Sequence, residues 1–178
     1  SADPLAVPAW LAELEASRRV FATASRDSNP DDPSGVAAAH PVWWVAADGA
    51  GRVRDALGVA LPGGLPQAFT DPVADPLADL LVRYARTHGP FTSDDVAVRL
   101  GLGRFVVEST YARLAADGRV VAGDFSPFGW TRSDGTASDG TTREWVDPGV
   151  LRIIRRRSVA ALRAEVEPVE ASAFARFV

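Results

Sequence analysis

LAADGRVVAGDF, residues 114–125, reads as the close of a helix, a glycine turn and the opening of a strand. A related stretch lies one hundred residues earlier: LEASRRVFATAS, residues 14–25. Leu14, Ala16, Arg19, Val20 and Ala22 align with Leu114, Ala116, Arg119, Val120 and Ala122. A helix-into-strand corner that occurs twice points to one structural plan used twice.

Working outward from the second corner, GRFVVESTYARLAADG (103–118) reads as a helix. Val107, Tyr111 and Leu114 fall at i, i+4 and i+7 and point inward, which leaves Phe105, Ser109, Ala112 and Ala116 on the opposite face. Gly118 ends it. Before it, PFTSDDVAVRLGL (90–102) gives a short extended segment and a helix of about two turns, apolar at Val96, Val98 and Leu100 and stopped by Gly101. Thr92 caps this helix, and Asp95 completes a capping-box pattern. Earlier still, DPLADLLVRYARTHG (75–89) opens with Asp75 as N-cap and Pro76 at the first helical position. Leu77, Leu80, Leu81, Tyr84 and Ala85 form its inward stripe, and Gly89 is placed to close it in a left-handed conformation.

Downstream, RVVAGDF (119–125) is a strand, SPFGWTRSDGTASDGTT (126–142) a turn-rich tip, and REW (143–145) the returning strand. Asp147 and Pro148 repeat the cap device and open GVLRIIRRRSVAALRAEV (149–166). The order helix, short strand, helix, helix, strand, wing, strand, helix predicts an α+β winged helix, a helix-turn-helix with a β-hairpin wing.

Residues 8–61 supply the second half of the same plan: helix 8–19, strand 19–25, a long loop 26–40, strand 41–46 and a short closing helix 49–58. Trp44 stands about where Trp145 stands in the other copy, so both are expected in core positions. The two leading helices of this copy are missing; the expectation is that they lie upstream of this segment or were never there. The expected division is a partial winged-helix-like unit at 1–61, a Pro/Gly-rich linker at 62–74, a complete winged helix at 75–166 and the start of a further element at 167–178. With Ser at position 1 and no Met anywhere, the chain reads as a piece of something longer.

Several stretches together resemble one family: GRVRDALGVALPGG (51–64), DPLADLLVRYARTHGPFT (75–92), RLAADGRVVAGDF (113–125) and REWVDPGVLRIIRRRSVAALRAEVEPVEASAFARFV (143–178). They are similar to the Lhr (large helicase-related) proteins, superfamily 2 ATP-dependent DNA helicases, and in particular to the actinobacterial form. The resemblance covers roughly residues 50–178 and is weaker across 24–43. It implies a parent that hydrolyses ATP to translocate on single-stranded DNA and unwinds duplexes. This segment resembles the winged-helix array downstream of the motor. In the family that array leads into a barrel-like region, and the whole C-terminal part resembles winged-helix DNA glycosylases. The resemblance also implies DNA repair, a hydrolase parent and a cytoplasmic, nucleoid-associated location. The wing at 126–142 is longer than the family pattern.

The chemistry open to the chain is narrow. A P-loop needs a Lys to reach the phosphates, and all 19 basic residues here are Arg. ATP and magnesium are therefore expected only in the parent, with no cofactor in this segment. Cysteine is absent, and the two histidines, His40 and His88, lie far apart, so no zinc site is expected. His88 suits a helix end, where it can satisfy a last-turn carbonyl. Asp75, Asp95 and Asp147 are accounted for as caps, which leaves no candidate for catalysis. No apolar run is long enough to span a bilayer, so no membrane partner is expected.

The net charge of −4 argues against nucleic acid, but it hides a segregation. Across 141–164, six arginines face two carboxylates, a local charge of +4 that leaves −8 for the rest. Arg152, Arg156 and Arg163 fall on one stripe of the last helix with Arg155 and Arg157 beside it, while Leu151, Ile154 and Leu162 face inward. Guanidinium forks suit phosphate. Arg104 and Arg113 on the helix before the wing, and Arg132 and Trp130 in the wing, are further candidates; an aromatic there can stack on a base. The expected partners are DNA, single-stranded or duplex and without sequence preference, and other domains of the parent. The competing readings are a structural scaffold, a free-standing transcription regulator and a glycosylase module.

Overall fold

The computed structural model describes residues 7–24, 42–126 and 142–165. Its elements are α1 (Val7–Ala16), β1 (Val20–Ala24), β2 (Val42–Ala46), a single 3-10 turn (Ala47–Gly49), α2 (Ala50–Leu57), α3 (Gln67–Thr70), α4 (Pro76–Thr87), β3 (Phe91–Thr92), α5 (Ser93–Leu100), α6 (Arg104–Ala116), β4 (Val121–Gly123), β5 (Glu144–Val146) and α7 (Pro148–Glu165). From α4 onward this is a winged helix. Its sheet has the order β3-β5-β4, with both pairings antiparallel.

Each boundary in this unit has a local cause. The Asp75 side chain accepts from the Ala78 N–H, and Pro76 occupies the first turn of α4. At α5, Thr92 Oγ1 accepts from the Asp95 N–H while the Asp95 carboxylate accepts from the Thr92 N–H, so both halves of the capping box are present. Two turns of isolated helix are marginal in water, so this cap and the burial of Val96 and Ala97 hold α5 in place. Val98, apolar in sequence, stands out in solvent instead. Gly89 does not close α4: it lacks a positive φ, and the last helical turn is finished by His88 in an extended conformation. The His88 Nδ1 donates to the Tyr84 carbonyl at 2.8 Å and its ring stacks on Tyr84, so that carbonyl needs no left-handed glycine.

The core gathers Leu81, Val82 and Ala85 of α4, Phe91 of β3, Val96 of α5, Val107, Tyr111 and Leu114 of α6, and Trp145 of β5. Trp145 is its largest member and sits on the central strand. Its Nε1 donates to Ser93 Oγ at 2.9 Å, and its ring stacks on Tyr111. The Tyr111 hydroxyl in turn donates to the Leu81 carbonyl. Beside Trp145, Glu144 is also fully buried. Its carboxylate accepts from the backbone N–H groups of Phe125 and Ser126 and from Ser126 Oγ, which fixes the base of the wing.

The two corners have the same backbone. Gly118 N–H donates to the Ala115 carbonyl and Arg119 N–H to the Leu114 carbonyl; one hundred residues earlier Arg18 and Arg19 donate to Glu15 and Leu14. Both are Schellman closures with a left-handed residue at the turn. That residue is Gly118 in the second copy (φ 69°) and Arg18 in the first (φ 56°). The sequence alignment thus corresponds to a repeated hydrogen-bond pattern.

The first unit pairs β1 with β2 antiparallel, with Ala22 opposite Trp44 as Ala122 is opposite Trp145. The expectation that Trp44 is core fails: it is 40% exposed, against 1% for Trp145. The reason is that the face of Trp145 is roofed by α4, α5 and α6, and that of Trp44 has no such roof among the described residues. The segment expected as a linker is also not a loose tether. Its residues 69–71 lie so close to α2 that a Cβ at Gly51 would sit 2.6 Å from the Asp71 carbonyl oxygen. Arg54 donates to the Thr70 carbonyl, and the Asp55 carboxylate accepts from the Val73 N–H. Across α2 and α4, Arg52 pairs with Asp79, and Arg99 of α5 lies over the Trp43 ring. Burial works to raise the Asp79 carboxyl, but the guanidiniums of Arg52 and Arg83 outweigh it and hold it below the usual carboxylate range.

Three outcomes follow from this packing. Gly118→Ala puts a Cβ into open space, so only backbone strain changes; denaturant unfolding should show a loss of about 1 kcal/mol, and an unchanged midpoint refutes the left-handed closure. Glu144→Ala strands the Phe125 and Ser126 donors and should cost about 3 kcal/mol by the same measurement. Burial pushes the Tyr111 phenol far above its ordinary value. The unfolded chain ionises it near pH 10 and the folded one does not, so its contribution is complete below about pH 10 and is lost as pH rises beyond that. Tyr111→Phe should flatten that alkaline decline in thermal unfolding.

Candidate nucleic-acid interface

The cationic segment is positioned by a cap. Asp147 Oδ1 accepts from the N–H groups of Gly149 and Val150 and starts α7 directly after the central strand. Leu151 and Ile154 are half-buried and seat the first turns, with Arg86 of α4 reaching Asp147 at 3.9 Å. From Arg155 to Arg163 every residue is exposed. Leu162, expected to face inward, is 63% exposed because α7 runs on beyond the core that seats Leu151 and Ile154.

Arg152, Arg155, Arg156, Arg157 and Arg163 make no ion pair among the described residues. Arg152, Arg155, Arg156, Val159, Ala160 and Arg163 line an open depression of about 630 Å³ along one side of the helix. Positions i, i+3, i+4, i+7, i+8 and i+11 share a helix face, so the periodicity by itself collects four of the five guanidiniums.

The arginines of α6 are placed differently. Arg104 lies between Asp94 at 3.3 Å and Glu108 at 3.9 Å. Arg113 pairs with Asp75 at 2.7 Å. The Arg113 hydrogen bond is the main cause that holds the Asp75 carboxyl below its ordinary range. A carboxyl lowered in this way keeps its pair at neutral pH and loses it only as pH falls below about 4. These two candidates are therefore occupied in tying α6 to α5 and to the cap of α4. The start of α6 presents Phe105, 82% exposed, and Val98 of α5 is 80% exposed; both are apolar, unlike the polar groups that read bases. Trp130 and Arg132 lie outside the described residues.

Sequence reasoning did not single out Arg143, at the foot of the wing. Its guanidinium lies over the Trp145 ring, 5.9 Å from the centroid, and it lines a depression of about 270 Å³ with Thr92, Ser93, Asp94, Arg104, Glu108 and Thr142. Both charge signs meet there, so the net field is weak. Its position next to a strand tryptophan was the available signal. Among the described residues no group of three or more His, Cys, Asp or Glu side chains could hold a metal ion, and no helix is long and apolar enough to cross a membrane.

Residues 1–72 match the family model described as large helicase-related protein, winged-helix domain. The match includes the stretch 24–43, where the sequence resemblance is weaker. The chain is 42% identical over 172 residues, 97% of its length, to the "Lhr helicase/ probable uracil glycosylase" of Mycolicibacterium smegmatis (strain ATCC 700084 / mc(2)155). It is 34% identical over 131 residues, 74% of its length, to the "Lhr helicase/uracil glycosylase" of Escherichia coli (strain K12). It spans only 10% and 7% of those two proteins. With the capped helices, the β3-β5-β4 sheet and the repeated corner already in place, this likeness settles the family: the chain belongs to the Lhr (large helicase-related) proteins and carries their winged-helix fold.

Proposed function

We propose that this chain is a non-catalytic winged-helix segment that guides or grips DNA beside the motor of an ATP-dependent helicase, through backbone contacts made by α7. The observation that carries the reading is the contrast between two sets of arginines. Those of α2, α4 and α6 named above are paired with carboxylates. Those of α7 stand exposed without a carboxylate among the described residues. Guanidinium groups left in this state release counterions when they meet phosphate, and that is the sequence-independent part of DNA affinity. In this reading ATP and magnesium serve the parent's motor and nothing in this segment, and the protein works in the cytoplasm, at the nucleoid. We assign no base-excision chemistry to the segment. The one fully buried carboxylate among the described residues, Glu144, is committed to the wing base.

The scaffold reading has one observation in its favour: exposed Phe105 and Val98, with Arg104 and Arg113 already paired, make the α5–α6 surface better suited to protein than to DNA. The two readings divide the molecule, with α7 toward DNA and α5–α6 toward neighbouring domains.

Labelled single-stranded and duplex DNA, titrated at several low salt concentrations and read by fluorescence anisotropy, test the first. Replacing Arg155, Arg156 and Arg157 together with Ala should weaken binding at least tenfold and flatten the log K against log salt slope by about 2 to 3. Arg113→Ala should leave that slope unchanged. Equal binding by the triple variant and the native chain overturns the assignment of α7.

A further inference from the structure

The two corners differ in the residue that makes the turn. In the second, Gly118 takes the left-handed conformation with nothing within 4 Å of where a Cβ would stand. In the first, the same place holds Arg18, among the described residues the one residue with a positive φ that is not glycine. That conformation is strained for a side chain with a Cβ, and it persists only where the surroundings hold it. Here the hold comes from far along the chain. Arg18 Nη1 donates to the Gly64 carbonyl at 3.2 Å, across 46 residues. Arg18 makes no ion pair among the described residues, so its guanidinium is given to a backbone oxygen and not to a carboxylate.

Gly64 is fitted to this contact. Its φ is 79°, and a Cβ there would stand 2.9 Å from Arg18 Nη1 and 3.5 Å from Cζ, so the guanidinium lies against bare backbone. The contact falls at the weak point of its segment. Residues 58–66, between α2 and α3, form neither helix nor strand. Pro62 and Pro66 restrict φ on either side, and Gly63–Gly64 between them is the turn at which the chain can bend. Further on, the Thr70 carbonyl and the Val73 N–H are bonded to Arg54 and Asp55 of α2, and α2 packs on α4. The chain between the units is therefore tied to α2 at its far end and to the first corner at its bend.

We propose that Arg18 is a positioning residue: its guanidinium latches the bend at Gly63–Gly64 onto the α1–β1 corner and so fixes the direction in which the chain leaves the first unit for the second. The strained turn is kept because a glycine there has no side chain to reach Gly64. The second corner holds no such segment, and there glycine suffices. The inference does not use α7 and stands apart from the DNA reading.

Spin labelling tests it, since the chain has no cysteine of its own. Glu13→Cys on α1 and Gly63→Cys in the bend, both exposed and the second with open space for a Cβ, give a distance distribution across the contact. With Arg18 in place the peak should be narrow. Arg18→Asn, whose side chain tolerates the left-handed turn but is too short to reach Gly64, should at least double its width. Arg18→Lys, which keeps a long side chain with donors, should recover most of the narrowing. Without labels, the order parameter of the Gly64 amide should fall from about 0.85 to below about 0.6 in Arg18→Asn. Gly64→Ala should lower the unfolding midpoint more in the native chain than in Arg18→Asn, where the guanidinium it would meet is gone. A broad peak with Arg18 in place, an unchanged one in Arg18→Asn, no recovery in Arg18→Lys, or additive effects of the substitutions at 18 and 64 overturns the proposal.

Discussion

The fold from α4 onward depends on Trp145 being held at the centre of its sheet. Its strand has a partner on each side, its indole N–H has an acceptor in Ser93, and its ring lies flat on Tyr111. A large aromatic with a polar handle is stable inside only when that handle is satisfied. Ser93 comes from the first turn of α5 and Tyr111 from the middle of α6, so one side chain sets both helices of the helix-turn-helix against the hairpin. Glu144, one residue earlier, uses the same strand to tie down the wing base through backbone donors. The core and the wing are thus registered by adjacent residues, and the closing helix begins two residues later at a cap. This is how three strands only two or three residues long can position the start of α7.

The electrostatic division follows from where α7 runs. Most carboxylates named here are engaged close to home, as caps or as partners of Arg52, Arg83, Arg104 and Arg113. The arginines of α7 are carried away from these partners by a helix that outruns its core. Net charge is therefore a poor guide to this protein. An acidic chain presents a concentrated cationic face, and the strength of any phosphate contact rests on local charge density and salt.

How much of this was legible beforehand differs by element. The caps at Asp75, Thr92–Asp95 and Asp147 act over three or four residues, and each was readable because a side-chain oxygen needs only the next turn of backbone to complete it. The repeated corner was readable for the same reason, even though Arg18 stands where Gly118 supplies left-handed freedom. Gly89 misled, because the His88 ring meets the carbonyl that a glycine closure serves elsewhere. Trp44 misled for a different reason: its register is that of Trp145, and register is local, but burial depends on what lies above the strand.

The sequence by itself determined the element order from α4 onward, the capped starts of α4, α5 and α7 and the clustering of cations at 152–163, since these depend on periodicity and on interactions within a turn or two. Only the tertiary structure decided which arginines remain free of carboxylates, that α2 docks on α4 while α3 packs on α2, and that Glu144 is buried. Those outcomes depend on groups brought together from positions 19 to 38 residues apart, and chain spacing carries no record of such meetings.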